Sequence, residues 1–139
     1  MKQMKDKVFV DTNVIVYLYS EDEEDKQSRA FAATALCDCV TSTQVLNEFS
    51  NVCLKKLKMP IETIENAIDE ISTEFYVELI NNNTIKKALL LHKKYNFSYY
   101  DCLILVSALE CGCQYVLTED LNNGQIIENS LKIRNIFKS

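Results

Sequence analysis

The sequence predicts an α/β protein, a three-layer α/β/α sandwich built on a mostly parallel central sheet. Three observations predict it. Short β-branched and aromatic runs alternate along the chain with segments of helical period, the pattern of strand–helix–strand units with buried central strands. A hydrophobic content of 47% supplies a real core, while the charged fraction of 25% is ordinary and argues against disorder. No internal repeat, linker or low-complexity stretch divides the 139 residues, which read as a single domain spanning 1–139.

The elements follow in order. KVFV, residues 7–10, is a buried strand, and 13–19 a short helix. The acidic run EDEED, Glu21 to Asp25, reads as a solvated helix start favoured by the macrodipole, with Ala30, Phe31, Ala33 and Ala35 on the helix behind it. CVTS, 39–42, is the second strand. The helix 43–58 turns Val45, Phe49 and Val52 or Cys53 to one side and Gln44, Glu48, Asn51 and Lys55 to the other. Pro60 fits the first position of the next helix, PIETIENAIDEIS. FYVELI, 75–80, is a third strand and 84–95 a helix closed by Asn96. SYYDCLILVSALEC, 98–111, is apolar nearly all round and ends at Gly112, as a buried helix should. QYVLT, 114–118, is another buried strand, and LKIRNIF, 131–137, an alternating, edge-like one.

Composition narrows the function. The basic start MKQMKDK is followed by an apolar run that Asp11 interrupts, so neither a signal peptide nor a membrane span is expected, and a cytoplasmic location is. The six cysteines read as reduced, small hydrophobes, because CDC and CGC lack the spacing of a zinc knuckle and the single histidine, His92, lies in a helical stretch. Two glycines in the whole chain exclude a Gly-rich phosphate loop. A net charge of −5 speaks against a basic coat for duplex binding and turns the question to where the acids gather.

In an open parallel sheet, sites form beyond the carboxyl ends of the strands. Asp11 ends the first strand, and Glu119 and Asp120 follow QYVLT directly. Glu48 lies early in the helix that leaves the second strand. Asp101 lies in the first turn of a helix that must run antiparallel to the strand after it, which returns it to the same rim. Each acid also has a local reading: Asp11 as a helix cap, Glu48 as part of a solvated face, Ser98 to Asp101 as a capping box, Asp120 as a turn residue. Independent caps have no reason to converge. Converging carboxylates repel unless a hard cation joins them, and Mg2+ or Mn2+ suits oxygen ligands and phosphate. Such ions drive phosphodiester hydrolysis without a basic histidine.

VFVDTNVIVYLYSEDEED, STQVLNEFSNV, FSYYDCLILVSALECGCQYVLTEDLNNGQIIE and LKIRNIF resemble, in order and over essentially the whole chain, the successive blocks of the PIN-domain ribonucleases, in their VapC-like toxin branch. The resemblance implies a metal-dependent endoribonuclease that cuts single-stranded or loop RNA. It implies that Asp11, Glu48, Asp101 and Asp120 surround Mg2+ or Mn2+, with Asp11 and Asp101 the core ligands, and that Thr12, Asn13 and Thr118 orient them. Glu119 stands beside Asp120 as a substitute or assistant. A homodimer and an antitoxin that fills the groove are also implied. Lys55, on the stripe of Glu48, is the first choice for an RNA contact among the helical lysines 55, 56, 58, 86, 87, 93 and 94, and Tyr99 or Tyr100 for stacking a base. Two other readings stand beside this one. A phosphohydrolase using Asp11 as nucleophile wants a second aspartate where Asn13 stands. A catalytically silent module of the same fold would bind RNA or protein without cutting.

Overall fold

The structure is a computed structural model and describes residues 5–138. Its twelve elements run β1 (Lys7–Val10), α1 (Thr12–Leu18), α2 (Glu24–Thr34), β2 (Asp38–Ser42), α3 (Thr43–Lys55), α4 (Ile61–Glu74), β3 (Tyr76–Glu78), α5 (Asn82–Lys94), α6 (Tyr99–Glu110), β4 (Tyr115–Thr118), β5 (Ile126–Ile127) and β6 (Leu131–Asn135). The strands form one sheet in the order β3-β2-β1-β4-β6-β5. Every pairing is parallel except that of β5 with β6.

The strand order decides where a site can form. From β1 the chain steps outward to β2 and β3, then returns to place β4 on the other flank of β1. Right-handed crossovers therefore put α1 to α4 on one face and α5 and α6 on the other. The direction of winding reverses between β1 and β4. At such a reversal the flanking helices diverge and leave a crevice at the strands' carboxyl ends.

The core explains why the strands hold. Val8, Phe9, Val10, Val116 and Ile133 are wholly buried, because the central strands are covered on both faces. Helix α6 is buried at every position from Cys102 to Ala108, which fits its near-absence of polar residues. It stops at Gly112, whose φ of +69° is a conformation that a side chain would strain.

The sequence expectations differ from the structure at a few boundaries. Pro60 is the N-cap of α4 rather than its first helical residue, and α5 starts earlier, where Asn81 accepts from Thr84 N–H at 3.1 Å. The strand 131–137 is not an edge. Two residues, Ile126 and Ile127, turn back as β5 and cover its outer side, and the connecting turn is made by Glu128 and Asn129 at positive φ. The first four residues of MKQMKDK lie outside the described residues. No helix among the described residues is long and apolar enough to cross a membrane.

Phe49, fully buried on α3, packs edge-on against Tyr19 with ring centroids 5.6 Å apart. Phe49→Ala is expected to cost about 3–5 kcal/mol in urea denaturation. Leu36→Ala, at a side chain 81% exposed, is expected to change stability by no more than about 0.5 kcal/mol.

Candidate active site

Asp11 follows directly on β1, at the winding reversal, and its N–H donates to Leu117 O of β4 at 3.0 Å. It also caps α1, accepting from Thr12 N–H at 2.6 Å. Its second oxygen accepts from the Thr118 hydroxyl at 2.9 Å. The cap reading and the site reading thus describe one side chain: one carboxylate oxygen starts the helix, and the other is bound from the neighbouring strand.

The other acids arrive by different routes. Glu48, on α3, accepts from the Thr12 hydroxyl at 2.7 Å and from Gln44 Nε2, one helical turn earlier, at 2.8 Å. Asp120, two residues beyond β4, accepts from Asn13 Nδ2 at 2.8 Å. Asp101 lies in the first turn of α6, where Ser98 Oγ accepts from its N–H at 3.2 Å. No bond among the described residues returns from Ser98 N–H to the Asp101 carboxylate, so only half of the capping box forms and the acid stays available to the cleft.

These four acids line one cleft of about 290 Å³ with Thr12, Asn13, Asn51, Val52 and Ile104. The lining includes no Lys, Arg or His. Burial pushes the Asp11 carboxyl from its ordinary 3.8 up to about 6, the bonds from Thr12 and Thr118 oppose this, and the Glu48 and Asp101 charges add to it. Burial likewise raises Asp101, the Ser98 side chain opposes this, and the Asp120 and Glu48 charges push the same way as burial. The cluster therefore carries repulsion that no basic side chain offsets, and an all-oxygen donor set of this kind fits a hard divalent cation. As they stand, no three acidic, cysteine or histidine side chains among the described residues are gathered closely enough to share an ion. Three of the four carboxylates are turned instead onto the hydroxyl and amide donors of Thr12, Asn13, Gln44 and Thr118.

Glu119 does not line the cleft. Its carboxylate accepts from the Tyr17 hydroxyl at 2.9 Å and pairs with Lys26 Nζ at 2.9 Å, on the side of α1 and α2. Asn135 of β6 holds the backbone of the same loop, donating from Nδ2 to Glu119 O at 2.7 Å. Tyr17, Lys26 and Asn135 escape sequence reasoning, since Lys26 and Glu119 are 93 residues apart and nothing local links them. Gln44 carries a readable signal, its i,i+4 spacing to Glu48.

Lys55 lies in the last turn of α3, one turn beyond Asn51, and Tyr100 is 58% exposed beside Tyr99. Lys87 and Lys94 are spent on Glu110 and Glu128. All six cysteines are free, and burial pushes the thiols of Cys39, Cys111 and Cys113 up to about 12, which makes them poor nucleophiles and poor thiolate ligands.

A parallel α/β sheet whose winding reversal opens onto a carboxylate cleft without a counter-cation defines the class of α/β proteins with a cleft suited to a hard divalent cation. The chain belongs to the PIN domain family, a family of nucleases that generally use divalent metal ions; the family model matches residues 8–125. No curated protein matches it. Among solved structures it is similar to a toxin–antitoxin complex from Klebsiella pneumoniae, at 17% identity and TM-score 0.70, covering 95% of this chain and 99% of that one. It is also similar to VapC20 of Mycobacterium tuberculosis, a sarcin-ricin loop cleaving toxin, at 20% identity and TM-score 0.63, over 78% and 86% of the two chains. VapBC2 of Rickettsia felis, bound to a DNA fragment from its promoter, is similar at 16% identity and TM-score 0.65, over 93% and 99%.

The raised Asp11 sets a pH dependence. Between about pH 4 and pH 6 the folded protein holds more protons there than the unfolded chain, so stability falls as pH rises through that window. Above it the full penalty stands, about 3 kcal/mol from a shift of roughly two pH units. In EDTA, the stability of Asp11→Asn relative to wild type is expected to increase from pH 4 to pH 7 by up to about that amount. Urea denaturation at the two pH values measures it; a difference that does not change with pH contradicts the assignment.

Proposed function

We propose that this protein is a Mg2+- or Mn2+-dependent endoribonuclease acting on single-stranded or loop RNA, in one PIN domain spanning the chain, and the toxin of a toxin–antitoxin pair. The observation that carries the reading is the convergence of Asp11, Glu48, Asp101 and Asp120 from four separate elements on a cleft without a basic residue. The PIN family match supports nuclease chemistry. The toxin–antitoxin assemblies among the similar structures support a cytoplasmic toxin with an antitoxin partner, and the sarcin-ricin loop cleaved by one of them supports a loop RNA as substrate. A homodimer is part of the same reading.

In this reading Asp11 and Asp101 hold the metal, with Glu48 and Asp120 completing the site. Bound there, the cation supplies Lewis acidity, lowering the pKa of water and neutralising charge on the phosphate. The protein's own residues do the rest. Thr118 and Thr12 N–H fix the two oxygens of Asp11, and the Thr12 hydroxyl and Gln44 fix those of Glu48. Asn13 aims Asp120. These bonds hold three of the four carboxylates at the cleft wall, and the carboxylates must turn off their donors to share an ion, so the donors fix each side chain's place and its orientation is completed on metal binding. Glu119 acts on the loop that carries Asp120 rather than on the metal. Lys55 contacts a phosphate, and Tyr100 stacks a base.

Purified protein is expected to cut labelled single-stranded RNA when Mn2+ or Mg2+ is supplied and to stop in EDTA. Thr118→Val is expected to lower activity or metal affinity about 10–100-fold, and Asp11→Asn and Asp101→Asn to abolish cleavage. Asp101→Asn should leave the fold at least as stable in EDTA, because it removes a like charge. RNA bound but left intact by the wild-type protein in Mn2+ would identify the silent module instead.

Replacing Glu119 separates it from its neighbour. Asp120→Asn is expected to lose metal affinity directly, whereas Glu119→Gln, which keeps a bond to Tyr17, is expected to retain metal binding. Equal losses of Mn2+ affinity by calorimetry would place both carboxylates at the metal.

A further inference from the structure

Cations are missing from the carboxylate cleft, yet they gather around a shallow groove of about 670 Å³ between α2 and β6. Arg29, Lys132, Arg134 and Lys138 line it, and no Asp or Glu does. In a chain with 20 acidic and 15 basic residues, this segregation runs against composition. Lys132 and Arg134, two residues apart on β6, project to one face of the sheet, with Ile133 buried between them. Neither forms an ion pair among the described residues. The Arg134 guanidinium lies 3.8 Å from the centroid of the Tyr115 ring, which holds it as a flat, fixed cation. Arg29 is 3.3 Å from Asp25, but that carboxylate is 84% exposed and leaves most of the positive field to the groove.

Hydrogen bonds tie the groove's lining to the loop that carries Asp120, although the groove and the cleft share no lining residue. Asn123 and Asn135, also in the groove's lining, bond each other through Asn135 N–H and Asn123 Oδ1 at 2.9 Å, and Asn135 holds the backbone of the loop whose Asp120 lines the cleft. Along with Ala32, Ala33, Ile133 and Ile136, this surface offers four Lys and Arg charges and the Asn123 amide, groups that contact phosphate and sugar oxygens. Its α2 wall adds Ala32 and Ala33 beside Arg29, and of the two isoleucines in the lining Ile133 is wholly buried, so the groove has no large aromatic pocket of the kind that anchors a peptide.

We infer that the groove of Arg29, Lys132, Arg134 and Lys138 is a phosphate-backbone track for the single-stranded RNA whose scissile bond sits in the Asp11 cleft. The identity of the strand rests on the nuclease reading above; the track itself rests on the charge of the groove and on its bonded link to the loop that carries Asp120. It supplies the attraction that the acidic cleft, by itself, denies a polyanion.

Anisotropy titrations of a labelled single-stranded RNA, run in EDTA over a series of salt concentrations, test it. Lys132→Glu/Lys138→Glu is expected to weaken binding about tenfold or more and to flatten the slope of log K against log salt by about 0.7 for each phosphate that is no longer neutralised. The neutral pair Lys132→Gln/Lys138→Gln is expected to flatten the slope equally. Melting temperature and Mn2+ affinity should stay at wild-type values in both. Lys86→Glu/Lys93→Glu, which changes net charge by the same amount on α5, is expected to leave the slope as it is. An unchanged slope in the groove variants, or an equal change in the α5 control, overturns the inference, as does an acidic protein that loses affinity for the variants while RNA does not. Because binding is read without metal, a failure to cleave RNA in Mn2+ would defeat the nuclease reading and leave this result standing.

Discussion

Asp11 is a carboxylate only 6% exposed, set at the end of the central strand where the sheet reverses its winding. Burying an ionised group there is costly. The fold offsets part of that cost with two local donors, the Thr12 N–H and the Thr118 hydroxyl, one from the helix it starts and one from the adjacent strand. The Thr12 N–H is local to the turn into α1, but the Thr118 hydroxyl reaches Asp11 only if β1 and β4 pair in their observed register, with Val10 opposite Leu117. A slip of one residue would turn Thr118 to the other face of the sheet and leave Asp11 half-satisfied. The site and the central pairing therefore constrain each other.

What remains of the cost after those two bonds appears as the raised Asp11 carboxyl, and it is shared. Glu48 and Asp101 contribute to it, and Asp101 in turn feels Asp120 and Glu48. A core selected for stability alone has no use for such an arrangement, since apolar residues of similar size would remove the repulsion. Perturbed carboxylates gathered in a cleft are the arrangement that functional sites favour. Asp11 is a genuine cap of α1, so capping the helix and lining the cleft are two uses of one side chain rather than rival explanations, whereas α6 is capped by Ser98 and leaves the Asp101 carboxylate out of the cap.

Much of this was legible because strand ends are legible. KVFV and QYVLT are short β-branched runs, and whatever follows them in a parallel sheet lands on the same rim, so Asp11 and Asp120 could be placed from connectivity. Asp101 followed from the apolar helix ending at Gly112, which has to run back along the sheet. The two-residue β5 was not legible, since two residues have no period, and without it the strand at 131–135 reads as an edge. Nor was the direction of Glu119, which is settled by Lys26 and Tyr17 from helices early in the chain. Neighbouring residues point to opposite sides at a strand end, and sequence alone does not say which of the two faces the cleft.

Net charge misleads for a related reason. A total of −5 averages an acidic cleft, an acidic turn before α2 and a cationic groove beside β6, three surfaces of different character. Counter-ion release depends on the cations a strand touches, not on the protein's total. Separating the two signs also solves a local problem. A lysine inside the cleft would neutralise the carboxylates and compete with a divalent ion for them, whereas the same charge on β6, beyond the loop held by Asn135, attracts a polyanion without weakening the metal's claim. On the proposed nuclease reading, the arrangement favours a strand that is held along its backbone outside the cleft and meets the carboxylates only where they can be shared with a cation.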